Sequence, residues 1–378
     1  MAGSRRRLDH PPPRDAEAGG IARSAEAAGA WRLCDAAANR AAEALRVLED
    51  VVRFVLDDGH LTAVAKTLRH DLAAILAGPA LAPRIALRDA PGDVGAGCVA
   101  AGALGRRDAS DLVAANAARA AQALRSLEEV SRVVAPAEAA GFEGLRYRLY
   151  ALEKAAAGTA RAAGRLRGVN LCVLVDGGAS AAEFERLVEG LFEAGVRMIQ
   201  VRDKGLGVPR LVDRARRAVA AARRRAPAEA VVIVNDRADV AAAVGASGVH
   251  VGAEDLPVIS ARRVVGAEAV VGRTAHAVEE ARTAVLDGAD YLGVGPCFPS
   301  PTKTFTAFAP GDFLAAVAAE IALPTFAIGG ITLERLDDVL GRGIGRVAVA
   351  SAITAAHDPA AAAAAFIARL AARQPAEP

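Results

Sequence analysis

The sequence predicts an α/β protein in which an all-α helical bundle precedes a closed (β/α)₈ barrel. Three observations support this fold class. Apolar residues recur at helical spacing in the first half, that half contains an internal duplication, and eight short apolar runs alternate with helical stretches in the second half. With 378 residues the chain is long enough for two domains. We expect a disordered tail over 1–30, the bundle over 31–160 and the barrel over 166–374.

The N-terminal tail contains three consecutive arginines at 5–7 and three prolines at 11–13 but no apolar segment. This composition predicts a disordered tail rather than a signal peptide. No stretch of the chain approaches the ~20 apolar residues of a membrane span. The four cysteines form no CxxC pair, a pattern typical of the reducing cytosol, so we expect a cytoplasmic protein without a zinc site. Few aromatics and a net charge of +2 argue against a nucleic-acid partner.

The bundle is predicted from helical periodicity and from the duplication. Leu45, Leu48 and Val52 recur at helical spacing. Residues 40–53 align with residues 119–132 at an offset of 79. We interpret this as a repeated helical hairpin whose two copies bury their apolar faces against each other. The Gly- and Pro-rich segment 79–105 between them is predicted to be a loop region.

The barrel is predicted from eight β-like runs, which lie at 171–175, 198–201, 231–234, 249–251, 270–271, 291–294, 325–328 and 347–349. Strands buried on both faces are continuously apolar, and eight βα units indicate a closed barrel. A doubly wound open sheet is the alternative. It is disfavoured because no G-x-G-x-x-G follows the first run.

Polar residues follow the apolar runs with regularity. In a (β/α)₈ barrel the chemistry takes place at the C-terminal ends of the strands. The residues concerned are Gln200, Arg202, Asp203, Lys204, Asn235, Asp236, Asp255, Thr274, His276, Thr302, Lys303, Gly329, Gly330, Ala350 and Ser351. Charges that only solvate helices would not recur at strand ends, so we predict that this set forms one active site.

A metal and a diphosphate suit part of this set. Asp236 and Asp255 are hard oxygen ligands on neighbouring strands, and Mg²⁺ is typically held by one or two carboxylates plus substrate phosphates. Helix N-capping is the alternative for either carboxylate alone. Arg202, Lys204 and Lys303 would clamp a diphosphate as negative charge grows on it during departure.

A second phosphate subsite is predicted after strands seven and eight. Gly329-Gly330 and Ala350-Ser351 could offer backbone N–H groups there, although any tight turn could use two glycines. The side-chain amides of Gln200 and Asn235 could hydrogen-bond the donor and acceptor groups of a heterocycle, or they could cap turns. His276 could be a base, but a hydrogen-bonded histidine at a helix start is the more common arrangement. Together these features indicate metal-assisted departure of a diphosphate and capture of the remaining carbon by a phosphate-anchored partner.

The barrel half resembles the thiamine-phosphate synthases in the order and spacing of its motifs, which occupy 195–204, 234–237, 248–255, 290–296, 302–303 and 327–331. The resemblance implies condensation of hydroxymethylpyrimidine diphosphate with thiazole phosphate, with Mg²⁺ on Asp236 and Asp255. It assigns the pyrimidine diphosphate to Gln200, Val201, Arg202, Asp203, Lys204, Asn235, Thr274 and Lys303. It assigns the thiazole phosphate to Ser300, Pro301, Thr302, Gly330, Ala350 and Ser351.

Some positions depart from the family pattern. Thr274 stands where the family often has Ser and keeps the hydroxyl, and Ser300-Pro301 replaces a more usual Thr-x. The rival hypothesis is a thiazole tautomerase with a purely structural or dimerising helical domain, because the segment ending at His276 would suit histidine chemistry. The two aspartates and Lys303 favour the synthase.

The helical half resembles the hydroxymethylpyrimidine-phosphate kinase domain that often precedes this synthase, and the resemblance covers about 31–155. It implies a bifunctional enzyme, leaves the phosphate donor open with ATP as the candidate, and includes Asn39, Arg46, Asp50, Lys66, Arg69 and His70. The duplication adds Arg53 to this candidate site. The residues themselves show no P-loop and no kinase Gly-rich loop. The alternative is therefore that these charges form i,i+4 pairs, such as Glu49 with Arg53, on a solvated helix face. The sequence leaves the oligomeric state undecided, and a homo-oligomer is one option.

Overall fold

The computed structural model describes residues 14–93, 105–226, 230–299 and 311–372. The chain forms two compact units. Unit 1 comprises residues 1–47, 67–105 and 115–150, and unit 2 comprises residues 48–66, 106–114 and 151–378. The sequence predicted one boundary between 160 and 166, whereas short helical segments before that boundary group with the barrel. The domain limits therefore stay a prediction.

The first half of the chain is helical, as predicted. Its helices are α1 (Arg14–Phe54), α2 (Gly59–Leu76), α3 (Pro83–Ala86), α4 (Ala109–Val134) and α5 (Ala139–Arg165), with short 3₁₀ helices at Pro79–Leu81 and Pro136–Glu138. The duplicated segments lie in α1 and α4, where Leu45 and its counterpart Leu124 are both buried. The repeat thus places equivalent apolar side chains in equivalent helices.

Helix α1 begins at Arg14, which corrects the predicted disordered tail over residues 14–30. Seven of the seventeen residues in that segment are Ala, the residue with the highest helix propensity. The basic and proline-rich residues 1–13 lie outside the described residues, and so do residues 94–104 of the predicted loop region. The described part of that region contains the short helices at 79–86.

The second half is a closed parallel barrel in which each strand pairs with the next and β8 closes on β1. The strands are β1 (Leu171–Val175), β2 (Met198–Val201), β3 (Val231–Asn235), β4 (Gly248–Val251), β5 (Val270–Ala275), β6 (Tyr291–Val294), β7 (Thr325–Ile328) and β8 (Val347–Val349). The helices between and after them are α6 (Ala181–Glu193), α7 (Val208–Arg225), α8 (Ala238–Val244), α9 (Val258–Val265), α10 (Val278–Asp287), α11 (Gly311–Glu320), α12 (Leu336–Leu340), α13 (Ser351–Thr354) and α14 (Pro359–Ala371). The closed barrel is confirmed over the open sheet.

Strand β5 is longer than the sequence predicted because its last residues, Gly272 to Ala275, lack an apolar run yet remain in the ladder. The barrel interior contains an apolar cluster that includes Leu174, Met198, Ile233 and Phe326. Residues that alternate with these, such as Ile199, are buried on the outer face. Burial on both faces explains the continuous apolar runs. Within the described ranges, no helix combines the length and the hydropathy that a membrane crossing requires.

One buried carboxylate in unit 2 ties the start of α2 to a barrel loop. Asp58 is 1% exposed. Its Oδ1 accepts a hydrogen bond from the Leu61 N–H at 2.7 Å, and its Oδ2 accepts one from the Ala322 N–H at 2.9 Å. Burial raises the pKa of Asp58, while these two N–H donors oppose the rise. The side chain therefore caps α2 and satisfies a backbone donor just before β7.

We expect Asp58→Ala to lower the free energy of unfolding by about 1–3 kcal/mol, because it removes a helix cap and leaves a second backbone donor unsatisfied. Urea denaturation followed by circular dichroism measures the loss. Asp71→Ala is the matched control, since Asp71 is 44% exposed in a surface pair with Arg148 and should cost under ~1 kcal/mol. Equal losses for the two variants would contradict the capping role.

Candidate active site

The described strand-end residues of the predicted site converge on one end of the barrel. All eight strands are parallel, so their carboxyl ends share one mouth. Gln200 lies near the end of β2, Asn235 ends β3, and Thr274 is the penultimate residue of β5. Ser300, Pro301, Thr302 and Lys303 lie outside the described residues, and their assignments stay predictions.

Two carboxylates lie together at this mouth. Asp236 and Asp255 are within hydrogen-bonding range of each other. The Lys204 ammonium lies 3.1 Å from Asp236 Oδ2. The Gly252 N–H donates to Asp255 Oδ2 at 2.8 Å. Burial, followed by the neighbouring Asp255, raises the pKa of Asp236, and Lys204 opposes that rise.

The backbone holds Asp236 in an unusual conformation. Its φ of +60° lies in the left-handed region, which a non-glycine residue seldom adopts. The Asp236 N–H donates to the His250 carbonyl at 2.8 Å, which continues the pairing of β3 with β4 beyond Asn235. Such backbone strain is often found at functional sites. Here it turns the carboxylate towards Asp255 and Lys204.

The carboxylate pair suits a divalent cation. Two close carboxylates repel each other unless a proton or a cation lies between them. Among the described residues, no group of three or more His, Cys, Asp or Glu side chains is arranged to hold a metal. Two protein oxygens with further ligands from substrate phosphates match the usual coordination of Mg²⁺. A cavity of about 470 Å³, lined by both aspartates together with Arg237, Asp239 and Glu254, lies beside the pair.

The segment after β2 positions charge and shapes the neighbouring loop. Burial lowers the pKa of His250 to about 4, and the nearby Arg202 guanidinium contributes to this lowering. Asp203 accepts hydrogen bonds from the Gly177 N–H at 3.0 Å and the Gly205 N–H at 2.8 Å, so its carboxylate joins the loops after β1 and β2. The sequence predicted a substrate contact for Asp203, and that role stays a prediction. The side chain of Val201 is buried, so any contact it makes with a substrate would come from its backbone.

A buried polar chain lies directly beneath the mouth. His250 Nδ1 lies 3.0 Å from the Tyr291 hydroxyl, and His250 Nε2 lies 2.8 Å from Thr274 Oγ1. Gln200 also hydrogen-bonds the Tyr291 hydroxyl. Tyr291 was not among the predicted site residues. Its place in β6 could have indicated a contact with His250, because the register aligns His250 with Gly272 and Gly272 with Tyr291 across three adjacent strands.

The loop after β7 needs its two glycines. Gly329 and Gly330 have φ values of +101° and +62°. A Cβ on Gly330 would lie 2.3 Å from the Pro299 carbonyl oxygen. The Phe298 N–H donates to the Gly329 carbonyl at 3.0 Å, so this turn packs against the loop after β6. The glycines therefore have a structural role beside the predicted phosphate contact.

The loop after β8 leads directly into a helix. Ser351 is the first residue of α13, and Ala350 precedes it as the cap. The first N–H groups of a helix have no partner within it, so the backbone here offers donors at the barrel mouth. His276, by contrast, has ring Nδ1 against the Gly295 carbonyl, and its backbone N–H donates to Glu280. This matches the hydrogen-bonded histidine that the sequence favoured over a base.

The candidate residues of the helical half are mostly on the surface. The exposed ones are Asn39, Arg46, Arg53, Lys66 and His70, and the partly buried ones are Asp50 and Arg69. Arg69 Nη2 lies 3.5 Å from His70 Nε2, and the Arg53 guanidinium lies 4.8 Å from the centre of the Phe54 ring. Their proposed binding roles are not tested by this geometry and stay predictions.

Unit 1 contains a buried carboxylate surrounded by arginines. Glu128 is 1% exposed and accepts hydrogen bonds from Arg125 at 2.6 Å, Arg132 at 2.8 Å and Arg146 at 3.0 Å. Burial would raise the pKa of Glu128, but the bonds from Arg146 and Arg125 outweigh it and hold the pKa below its ordinary value. Arg146 also lies 4.9 Å from the centre of the Tyr147 ring. The cluster places three guanidinium groups around one carboxylate.

Comparison with known proteins gives two family matches. The thiamine monophosphate synthase family matches residues 171–353, and the ThiD2 family matches residues 32–155. A thiamine-phosphate synthase from Rhodopirellula baltica is 41% identical over 344 residues, covering 89% of this chain and 91% of its own length. One from Gloeobacter violaceus is 39% identical, covering 90% of this chain and 96% of its own length. A solved thiamine phosphate pyrophosphorylase from Pyrococcus furiosus is 29% identical with a TM-score of 0.48, covering 55% of this chain and 98% of that chain.

Proposed function

Because this chain belongs to the thiamine-phosphate synthase family, we propose that its barrel condenses hydroxymethylpyrimidine diphosphate with thiazole phosphate to give thiamine phosphate and diphosphate. The protein is a transferase of thiamine biosynthesis. The single observation that best supports the finer reaction is the Asp236–Asp255 pair with Lys204 at the barrel mouth, beside the Gln200 and Thr274 side chains. That arrangement suits a substrate that is both a heterocycle and a diphosphate.

In the proposed reaction the bond between the methylene carbon and the diphosphate oxygen breaks, and the electron pair leaves with the diphosphate. The thiazole ring nitrogen then donates its lone pair to that carbon and forms the new C–N bond. No protein nucleophile is required. The protein's task is to hold two phosphorylated molecules in line and to stabilise the departing charge.

The residues at the mouth divide this task. Asp236 and Asp255 would hold Mg²⁺, which when bound would neutralise charge on the departing diphosphate. Lys204 already lies 3.1 Å from Asp236 and would contact the same phosphates. Gln200 and Asn235 would face the pyrimidine. The backbone at Gly330, Ala350 and Ser351 would hold the thiazole phosphate at the opposite side of the mouth.

The direct test is an assay of the full chain with both substrates and Mg²⁺, in which thiamine phosphate and diphosphate are measured together. We expect both products in equal amounts, and neither when one substrate is omitted. A folded chain that consumes the pyrimidine diphosphate without forming thiamine phosphate would contradict the proposed condensation.

Two substitutions should separate the two phosphate subsites. Lys303→Ala is expected to lower kcat about 100-fold, because it removes a cation from the departing diphosphate. Ser351→Pro is expected to raise KM for thiazole phosphate about tenfold, because it deletes one backbone N–H donor. Proline is tolerated at the first position of a helix, so α13 should be preserved.

The matched controls are Lys303→Arg, which keeps the charge, and Ser351→Ala, which keeps the backbone N–H. Both should stay close to the wild-type chain in steady-state kinetics with each substrate varied. If Lys303→Ala and Ser351→Pro changed the same kinetic constant, the division into two subsites would be wrong.

A second activity is proposed for the helical half, namely ATP-dependent phosphorylation of hydroxymethylpyrimidine phosphate to the diphosphate. The match of residues 32–155 to the ThiD2 family favours a distinct role for this region. The arginines around Glu128 support it, since phosphoryl transfer depends on cations placed around the phosphates. The product of this step would be the diphosphate substrate of the barrel.

A further inference from the structure

The barrel interior contains a continuous polar chain where an apolar core is usual. It consists of Gln200, Tyr291, His250 and Thr274, and the first three of these are at most 7% exposed. Unpaired polar groups in such a position are costly, so buried ones are hydrogen-bonded. Here each ring nitrogen of His250 has a hydroxyl partner, at 3.0 Å on Tyr291 and at 2.8 Å on Thr274.

Two glycines create the space for this chain. A Cβ on Gly272 would lie 2.1 Å from Tyr291 Cζ and 2.5 Å from His250 Nδ1. A Cβ on Gly293 would lie 3.2 Å from His250 Cε1. The interior positions of β5 and β6 nearest the two rings thus carry no side chain. The Phe326 ring packs edge-on against Tyr291, with centroids 5.6 Å apart, and closes the space from below.

Proton counting leaves two opposite directions for the hydrogen bonds of this chain. In the first, Thr274 donates to His250, His250 donates to Tyr291, and Tyr291 donates to Gln200. In the second, every bond is reversed. His250 is buried between two neutral hydroxyls, an environment that favours the neutral imidazole with one donor and one acceptor nitrogen. In the second direction, Gln200 donates to the Tyr291 hydroxyl oxygen, which lies within hydrogen-bonding range of the Gln200 side chain. The single phenol proton is then directed to His250 Nδ1. His250 Nε2–H in turn donates to Thr274 Oγ1.

The second direction determines what the two ends of the chain offer at the mouth. The Thr274 hydroxyl accepts from His250, so its own proton points away from the imidazole as a donor. The Gln200 amide nitrogen donates to the Tyr291 hydroxyl, so the Gln200 side-chain carbonyl oxygen stays available as an acceptor. A donor suits a diphosphate oxygen, and an acceptor suits an N–H of an aminopyrimidine.

We propose that His250 and Tyr291 are positioning residues for the transfer reaction, which orient the Thr274 hydroxyl as a donor and the Gln200 carbonyl as an acceptor towards the pyrimidine diphosphate. The proposal rests on the proposed function of the barrel. The alternative is that His250 and Tyr291 only fill and stabilise the core. The two roles differ in one respect, because a positioning residue acts through Thr274 or Gln200 and a packing residue does not.

A double-mutant cycle on the full chain tests this difference. The variants are Tyr291→Phe, His250→Gln, Thr274→Ala and the two doubles that combine Thr274→Ala with each of the others. We expect Tyr291→Phe and His250→Gln each to lower kcat/KM for the pyrimidine diphosphate about tenfold, with KM for thiazole phosphate unchanged. In the Thr274→Ala background each should have at most a small further effect. Thr274→Ser, which keeps the hydroxyl, should restore activity.

The matched control is Phe326→Leu, which alters the packing against Tyr291 but removes no hydrogen bond. It should lower thermal stability, and its kinetic effect should be additive with Thr274→Ala. Tyr291→Phe is the most conservative member of the set and keeps the test decisive if His250→Gln does not fold.

Nitrogen-15 NMR of the histidine side chains gives a second readout that does not depend on turnover. We expect the His250 proton on Nε2 in the wild-type chain. A proton on Nδ1, or additive effects of the His250 and Thr274 substitutions, would overturn the positioning role while leaving the condensation intact. A wild-type chain that makes no thiamine phosphate would overturn the proposed function, and the positioning role with it.

Discussion

Replacing Asp236 by Asn is expected to lower kcat of the condensation by about 100-fold or more and to raise the Mg²⁺ concentration needed for half-maximal rate. The substitution keeps the size and hydrogen-bonding shape of the side chain but removes the charge. In the structure Asp236 lies beside Asp255, and its Oδ2 lies 3.1 Å from the Lys204 ammonium. Asp236 therefore interacts with both the second carboxylate and the cation. Initial rates measured over a range of Mg²⁺ concentrations check both effects.

Asp239→Asn is the matched control for this experiment. Asp239 lines the same cavity three residues further along the chain, but it is 61% exposed and pairs with Arg237. Its substitution should change kcat less than about threefold, in keeping with the small contribution of an exposed ion pair. An Asp236→Asn enzyme with an unchanged Mg²⁺ dependence would contradict the metal-binding role. Asp236 would then have a structural role in the backbone turn, where its φ is +60°.

Replacing Arg46 or Arg69 by Ala is expected to reduce the formation of pyrimidine diphosphate from the monophosphate and ATP by about 10³-fold or more. Both residues belong to the helical half, and both already have polar or electrostatic partners in the structure. A solvated helix face would tolerate these changes, since an exposed pair contributes under ~1 kcal/mol. The loss should therefore appear in turnover while circular dichroism shows unchanged helical content.

Arg148→Ala supplies the comparison, because Arg148 is another arginine of unit 1, half exposed and paired with Asp71 on the surface. It should retain turnover within a small factor of the wild-type chain. The assay follows ADP and pyrimidine diphosphate in the full chain without thiazole phosphate, so that the barrel does not consume the product. Absence of nucleotide turnover in the wild-type chain would leave a structural bundle as the better interpretation of this region.

The strands of the barrel were predictable because each is buried on both faces. Continuous apolar runs such as 171–175 coincide with the observed strand, and the Gly-Gly and Ala-Ser pairs were predicted correctly at the ends of β7 and β8. Strand β5 was underestimated because Gly272 to Ala275 is not apolar, although the ladder with β6 keeps it extended. The start of α1 was also missed, because low hydropathy was interpreted as disorder.

The sequence by itself determined the closed barrel and placed polar residues such as Gln200, Asn235 and Thr274 at the ends of its strands, because periodicity and strand ends are local properties of the chain. Only the tertiary structure decided which of those residues touch. Asp203 joins two loops, Asp58 caps a helix and a barrel loop at once, and His250 links Tyr291 to Thr274. Each of these contacts connects residues far apart in the chain, and the parallel register of β4, β5 and β6 brings His250, Tyr291 and Thr274 within hydrogen-bonding distance.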